Sequence, residues 1–227
     1  MSSKSSEFVQ CKSGGIQRWG ISALVVMLAL VIAVPTVVQA QASGHKQTDK
    51  LINKSNDTIA AIRSTKMQTE ETLAGYNAII DGKVPDNRKA YKKLSNDIQK
   101  CENQADKVRA NIDSMEIAAD TYFSDWKNNL AAISDPDLRA KSETRLNETM
   151  SNYEGILKAA EKAGAEFKPF LTSLQDQVTF LGHDLNPSAI ADLKDEAADL
   201  NAQGKKVFTA VDGTITTASK YSNSLKP

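Results

Sequence analysis

From Tyr91 onward the apolar residues return every three or four positions, as Tyr91, Leu94, Ile98, Cys101, Ala105, Val108, Ile112, Met115, Ala119, Tyr122 and Trp126. Most residues between them are Lys, Asp, Glu, Asn, Gln or Arg. A spacing that alternates three and four draws one narrow apolar stripe along a helix and leaves the remaining surface for water. A second stripe runs Leu146, Met150, Tyr153, Leu157, Ala160, Phe167, Leu171, Leu174, Val178, Leu181, Leu185. A third runs Ile190, Leu193, Ala197, Leu200, Gly204, Val207, Val211, Ile215, Ala218. The weakest precedes them, Ile52, Ile59, Ile62, Leu73, Tyr76, Ile80, and is interrupted by Ser55, Lys66 and Thr69.

Breaks between the stripes coincide with turn chemistry. Asp81-Gly82-Lys83-Val84-Pro85-Asp86-Asn87 separates the first from the second, because Gly and Pro are poor inside helices and Asp or Asn caps the next start. Ser134-Asp135-Pro136-Asp137 does the same further on, with Pro136 where its missing donor costs nothing. In DLNPSAI, Asn186 caps and Pro187 opens another helix. The spacing therefore predicts helices near 46–80, 88–133, 136–184 and 187–222. Short connections make neighbours antiparallel. The expected fold is all-α: an elongated antiparallel up-down-up-down four-helix bundle, a coiled coil in its packing, with a protruding central helical hairpin. At 1.5 Å per residue the middle pair is roughly 70 Å long and the outer pair roughly 50 Å. Pro169, with Gly164 nearby, predicts a kink or short break between 164 and 169.

Residues 1–40 are a different object. Ile21 to Val38 carries no charge, follows Lys4, Lys12 and Arg18, and ends in small residues around Ala40. This is the pattern of an export signal, with cleavage expected after Ala40 and, as the alternative, after Ala42. The apolar run approaches the length of a membrane span, so an uncleaved inner-membrane anchor over 21–38 is the second reading. Either way residues 41–227, the helical-bundle domain, are expected outside the cytoplasm.

Composition sharpens this picture. The 227 residues hold 28 basic and 28 acidic side chains, and losing Lys4, Lys12, Arg18 and Glu7 with the signal leaves 25 against 27. Such a balance lacks the basic face that nucleic acid requires. Cys11 leaves with the signal, and the lone Cys101 has no internal disulfide partner, so the domain is held by its core. Cys101 lies on the stripe and is expected to be a buried small hydrophobe.

Candidate chemistry is sparse. His45 and His183 have no second His or Cys at helical spacing, and Asp184 points away from His183 on a helix. No phosphate loop, nucleophile elbow or HExxH occurs. No catalytic, metal or cofactor residue is predicted; a hydrolase would need His183 to meet carboxylates from another helix. Tyr122, Phe123 and Trp126 face Leu146, Met150 and Tyr153 across the 134–137 turn, either plugging the core end or anchoring a partner. With Asp135 and Pro136 at the tip they form the predicted partner contact.

One further pattern runs through KLSNDIQKCENQADKVRANIDSMEIAADTYFSDW and LRAKSETRLNETMSNYEGILKAAEKAGAEFKPFLTSLQDQVTFLGHDLNPSAIADL. These stretches resemble the bacterial domain-of-unknown-function family numbered 2959, over nearly all of the domain. The most specific part includes Asp176, Gln177, His183 and Asn186. The resemblance implies a helical fold and export to the envelope, often as a lipoprotein, and brings no activity. The lipid-attachment cysteine is missing here. Inter-helix hydrogen bonds that fix register are the expectation for Asp176 and Gln177.

The expected role is a non-enzymatic exported bacterial envelope protein, a structural or protein-interaction bundle. Its partner is an envelope protein, with membrane proximity through the N-terminal segment and room for oligomers. The alternative is a module holding a lipid or other apolar small molecule where the first stripe is polar and broken.

Overall fold

A computed structural model describes residues 37–226, with side chains from Gly44 onward, all within one unit, Thr36–Pro227. Most of the expected export segment, with Cys11 and nearly all of the 21–38 anchor, lies outside the described residues; Ala40 and Ala42 fall where the backbone alone is described. The described residues are all-α, a helical bundle of five helices: α1 Val37–Ile80, α2 Asn87–Leu130, α3 Pro136–His183, α4 Pro187–Asp192 and α5 Lys194–Ser224.

The helix ends follow from local chemistry. Asp86 caps α2, its Oδ1 accepting from the amides of Arg88 (2.9 Å) and Lys89 (3.1 Å). Asp135 caps α3 in the same way, through Asp137 and Leu138, ahead of Pro136 in the first turn. Asn186 caps α4 through the Ala189 amide at 2.9 Å. At the end of α1, Lys83 N–H donates to Ala78 O (2.9 Å) and Gly82 N–H to Ile79 O (3.1 Å). That paired closure needs a left-handed residue, and Gly82 supplies it at φ 65°.

Two expectations about helix continuity, a single last helix and a break between 164 and 169, are corrected. The last predicted helix is two, because Leu193 sits at φ −91°, ψ 6°, and its amide turns back to Ile190 O at 3.3 Å, a tighter i to i+3 bond. Asp195 and Glu196 then occupy the first turn of α5, where negative charge is favoured. Leu193 remains buried, so the stripe passes through the interruption. Conversely, α3 runs unbroken for 48 residues with Pro169 inside it. Phe170 beside it is wholly buried and Phe167 packs on the same core. Burying one such side chain stabilises by about 1.5–3 kcal/mol, the scale of the ~3 kcal/mol that an internal proline costs.

α1 packs on α2 and α5, and α3 packs on the same two. Along α1, Asn56, Lys66 and Asn77 bond Ser222, Asp212 and Asn201 of α5, so the two helices run in opposite directions. Along α2, Glu102 and Trp126 meet Gln175 and Ser142 of α3, again in opposite directions. Apolar packing divides into two cores. The lower core, toward the α1–α2 turn, holds Leu73, Tyr76, Leu94, Ile98, Phe170 and Leu200; the upper core, toward the α2–α3 turn, holds Leu51, Met115, Phe123, Leu146, Tyr153 and Tyr221.

The hairpin tip also differs from expectation. α1 starts at Val37 rather than near 46, so Gly44 and His45 border one hollow with Tyr122, Trp126 and Asn129 of α2. The end of α2 is therefore accompanied by α1, where the sequence had it bare.

Candidate functional site

Between the two cores the stripe of α2 loses its cover. Cys101 and Met115 are buried, but Ala105, Val108 and Ile112 between them are half-buried. On α1 the same level carries Thr65, Lys66 and Thr69 in place of apolar side chains, and on α3 it carries Ala160, Ala163 and Gly164. Small and polar residues on three helices leave interior space that Ile62, Phe167, Val207, Phe208 and Val211 do not fill. The result is a cavity of about 170 Å³ with mostly apolar walls. Its charged lining residues are all basic: Lys66, Arg109 and Lys168.

The polar walls are largely satisfied. Thr214 donates into the bundle, to Ala159 O of α3 (2.9 Å) or Ala210 O of its own helix (3.0 Å). Thr69 Oγ1 bonds Thr65 O at 2.7 Å. Lys66 Nζ reaches both carboxylate oxygens of Asp212, at 2.7 and 2.8 Å. That bond, above all, holds the ammonium above the usual lysine range against the opposing pull of desolvation. Arg109 is bound by Asp106 on its own helix, both largely exposed. Lys168 is exposed and makes no ion pair or hydrogen bond among the described residues.

Below the cavity a polar group is woven into the α1–α2 contact. Cys101 is wholly buried, with Thr72 Oγ1 3.2 Å from its sulfur, and burial pushes the thiol up, away from thiolate character. Asp97 is 3% exposed and bonded by Lys93 (2.6 Å) and Lys100 (2.8 Å). Burial opposes its charge, yet the hydrogen bonds and charges of Lys100 and Lys93 outweigh it and hold the carboxyl below the usual range.

The residues singled out in the sequence are dispersed. Phe123 is buried, while Tyr122 and Trp126 are half-buried, all packed into the upper core with Tyr153. Trp126 Nε1 donates to Ser142 Oγ at 3.0 Å, tying α2 to α3. Asp135 and Pro136 form the exposed cap of α3 beside exposed Leu138. Gln177 makes the inter-helix bonds expected of it, accepting from Tyr76 of α1 and donating to Glu196 O of α5 at 3.4 Å. Asp176 does not: it is exposed and unbonded among the described residues, because its position on α3 turns away from both partner helices. His183 and His45 are exposed without partners, so His183 lacks the carboxylates that a hydrolase reading required. No three His, Cys, Asp or Glu side chains gather as a metal site among the described residues. No helix of the described residues is long and apolar enough to cross a membrane.

Sequence reasoning missed the buried Asp97, although Lys93 and Lys100 at i−4 and i+3 were its signal. It also missed Phe170, Ile156 and Ile79 as core, because stripes drawn at strict heptad spacing are narrower than the apolar face of a straight helix. The family described as "Protein of unknown function (DUF2959)" matches residues 38–225. No curated protein and no solved structure matches the chain.

Proposed function

The chain belongs to the DUF2959 family, and we propose that it is a non-enzymatic exported protein of the bacterial envelope, a helical spacer that presents one end to a partner. In this reading α1, α2, α3 and the α4–α5 pair form an antiparallel up-down-up-down four-helix bundle with coiled-coil packing. The observation that carries it is helix length. Three helices of 44, 44 and 48 residues run without interruption, and α1 keeps residues 41–80 after cleavage at Ala40, so each is roughly 60–70 Å long, a scale that suits spanning a distance. Partner contact falls at the α2–α3 end, around Asp135, Pro136 and exposed Leu138, since Tyr122, Phe123 and Trp126 are largely occupied by the core. Residues 1–40 are the export signal, or 21–38 the anchor, and the mature domain works in the periplasm. A photocrosslinker at Leu138 in living cells should give a discrete adduct in the envelope fraction. A chain that fractionates with the cytoplasm, or gives no adduct, removes this reading.

The cavity between the cores favours a second reading, a binding module for an apolar small molecule. Native mass spectrometry of the protein from its own cells should then show a bound mass that organic extraction removes. Neither such a mass nor uptake of added apolar compounds would leave the cavity a packing fault.

A further inference from the structure

We infer that the cavity takes a small anionic amphiphile, an apolar group about the size of a benzene ring carrying a carboxylate or similar head, with Lys168 and Arg109 receiving the head. The inference rests on the second reading above and names its ligand.

Size comes first. At about 170 Å³ the cavity barely exceeds an engineered apolar cavity of ~150 Å³ that admits benzene, and it falls short of the ~300 Å³ at which ordinary ligand pockets begin. One ring or a short alkyl chain fills that space, and the rest of a full acyl chain would trail out of its open side into water. The walls offer such a group Ile62, Val108, Phe167, Val207 and Val211, and little to hydrogen-bond, because Thr69 and Thr214 already spend their hydroxyls on backbone carbonyls. A neutral polar ligand would therefore lose its water bonds with little return.

Charge decides the head. Three charged residues line the cavity and all are cations. Lys66 is held by Asp212 on the α1–α5 side and is committed. Arg109 on α2 and Lys168 on α3 belong to the helix pair α2–α3, which packs less closely than α1–α2, α3–α5 or α1–α5. Arg109 has only its exposed partner Asp106, a pairing weak enough to exchange, and Lys168 has none. An anion at this mouth gains two cations without displacing any buried bond.

Hexanoate and its neutral counterpart hexan-1-ol provide the test, titrated into the wild-type chain and followed by NMR shifts of the Val207 and Val211 methyl groups. Hexanoate should bind about twofold to fivefold more tightly than hexan-1-ol, the span of an exposed ion pair, and the preference should shrink with added salt. Lys168→Gln, at an exposed position, removes the charge while keeping most of the stem that lines the cavity, and should abolish most of that preference with a smaller effect on hexan-1-ol. Ala105→Leu, which fills the cavity from α2, should remove both ligands. Equal binding of the two compounds, with Lys168→Gln indifferent, overturns the anionic head while the apolar reading stands. Tighter binding of hexadecanoate than of hexanoate overturns the size limit. Saturable shifts with neither compound overturn the inference and the second reading together.

Discussion

The two cores share α1, α2, α3 and α5, with α4 joining only the lower one, and they differ in what they do with their phenols. The lower core is chiefly aliphatic around Phe170, and its one wholly buried phenol, Tyr76, donates to Gln177. The upper core is aromatic: Tyr122 lies 5.3 Å from Phe123 and 5.6 Å from Trp126, Phe123 lies 5.8 Å from Tyr153, and Tyr153 lies 6.1 Å from Tyr221, between ring centres. There the hydroxyls of Tyr153, Tyr221 and Ser55 are buried without a protein partner among the described residues. Burial pushes all three buried phenols, Tyr76, Tyr153 and Tyr221, above the ordinary tyrosine range, so each stays protonated. A satisfied hydroxyl fixes register; an unsatisfied one costs free energy. In the lower core a phenol thus ties α1 to α3, whereas in the upper core the phenols are a tolerated defect and the cross-helix bonds come from Ser222–Asn56 and Trp126–Ser142 instead.

The largest contrast should come from cavity mutants. Phe170→Ala removes a ring with no exposure and should cost about 3–5 kcal/mol, whereas Phe123→Ala, at 6% exposure and beside half-buried Tyr122, should fall at or below the low end of that range. Urea unfolding of the two variants gives both numbers. An equal or larger loss for Phe123→Ala would break the ranking of the cores.

Hydroxyl removal should differ in sign. Tyr76→Phe strands Gln177 and should destabilise by about 1–3 kcal/mol, while Tyr153→Phe or Tyr221→Phe should be neutral or stabilise by up to about 1 kcal/mol. Thermal melts of the three single variants decide it; destabilisation by all three would show that the upper hydroxyls are paired in solution.

A smaller effect carries a pH signature. Asp97 supports the lower core, next to Ile98, and its carboxyl is held below the ordinary 3.8. A depressed acid contributes stability that is complete above its unfolded value and is lost as pH falls through its folded value. Asp97→Asn should therefore cost about 1 kcal/mol at neutral pH, and the gap to wild type should close as pH drops below about 3.8. Urea midpoints at neutral pH and in acid read this directly, and a gap independent of pH would assign the loss to packing.

The smallest belongs to the waist between the cores. Lys66 and Asp212 join α1 to α5 there with side chains 23% and 56% exposed, so Lys66→Met should cost no more than about 0.2–1 kcal/mol. A larger loss in a melt would mean that the pair, rather than either core, aligns these two helices.

Much of this was legible in the chain. Asp86 or Asn87, Ser134 or Asp135, and Asn186 were offered as caps, Gly82 marked the end of a helix, and Gln177 stood out as a polar residue beside a stripe where register is set; the structure chose Asp86 and Asp135. The interrupted stripe of α1, with Lys66 and Thr69 where apolar residues were due, marked the level at which the cavity lies. The rest was not legible because it depends on which helix faces which. Ala105, Val108 and Ile112 look like core in sequence, and they are half-buried only because α1 and α3 bring small and polar residues to their level.

By itself the sequence determined the all-α class, the turns at 81–87, 134–137 and 184–187 and most of each apolar stripe, since capping, proline geometry and the period of a helix act within a few residues. Only the tertiary structure decided that Pro169 leaves α3 unbroken, that Leu193 splits the last helix, that α1 accompanies the α2–α3 hairpin, and that two cores part around a cavity. Each of those outcomes is a balance of burial across several helices, and side chains far apart in the chain determine how much surface each buries.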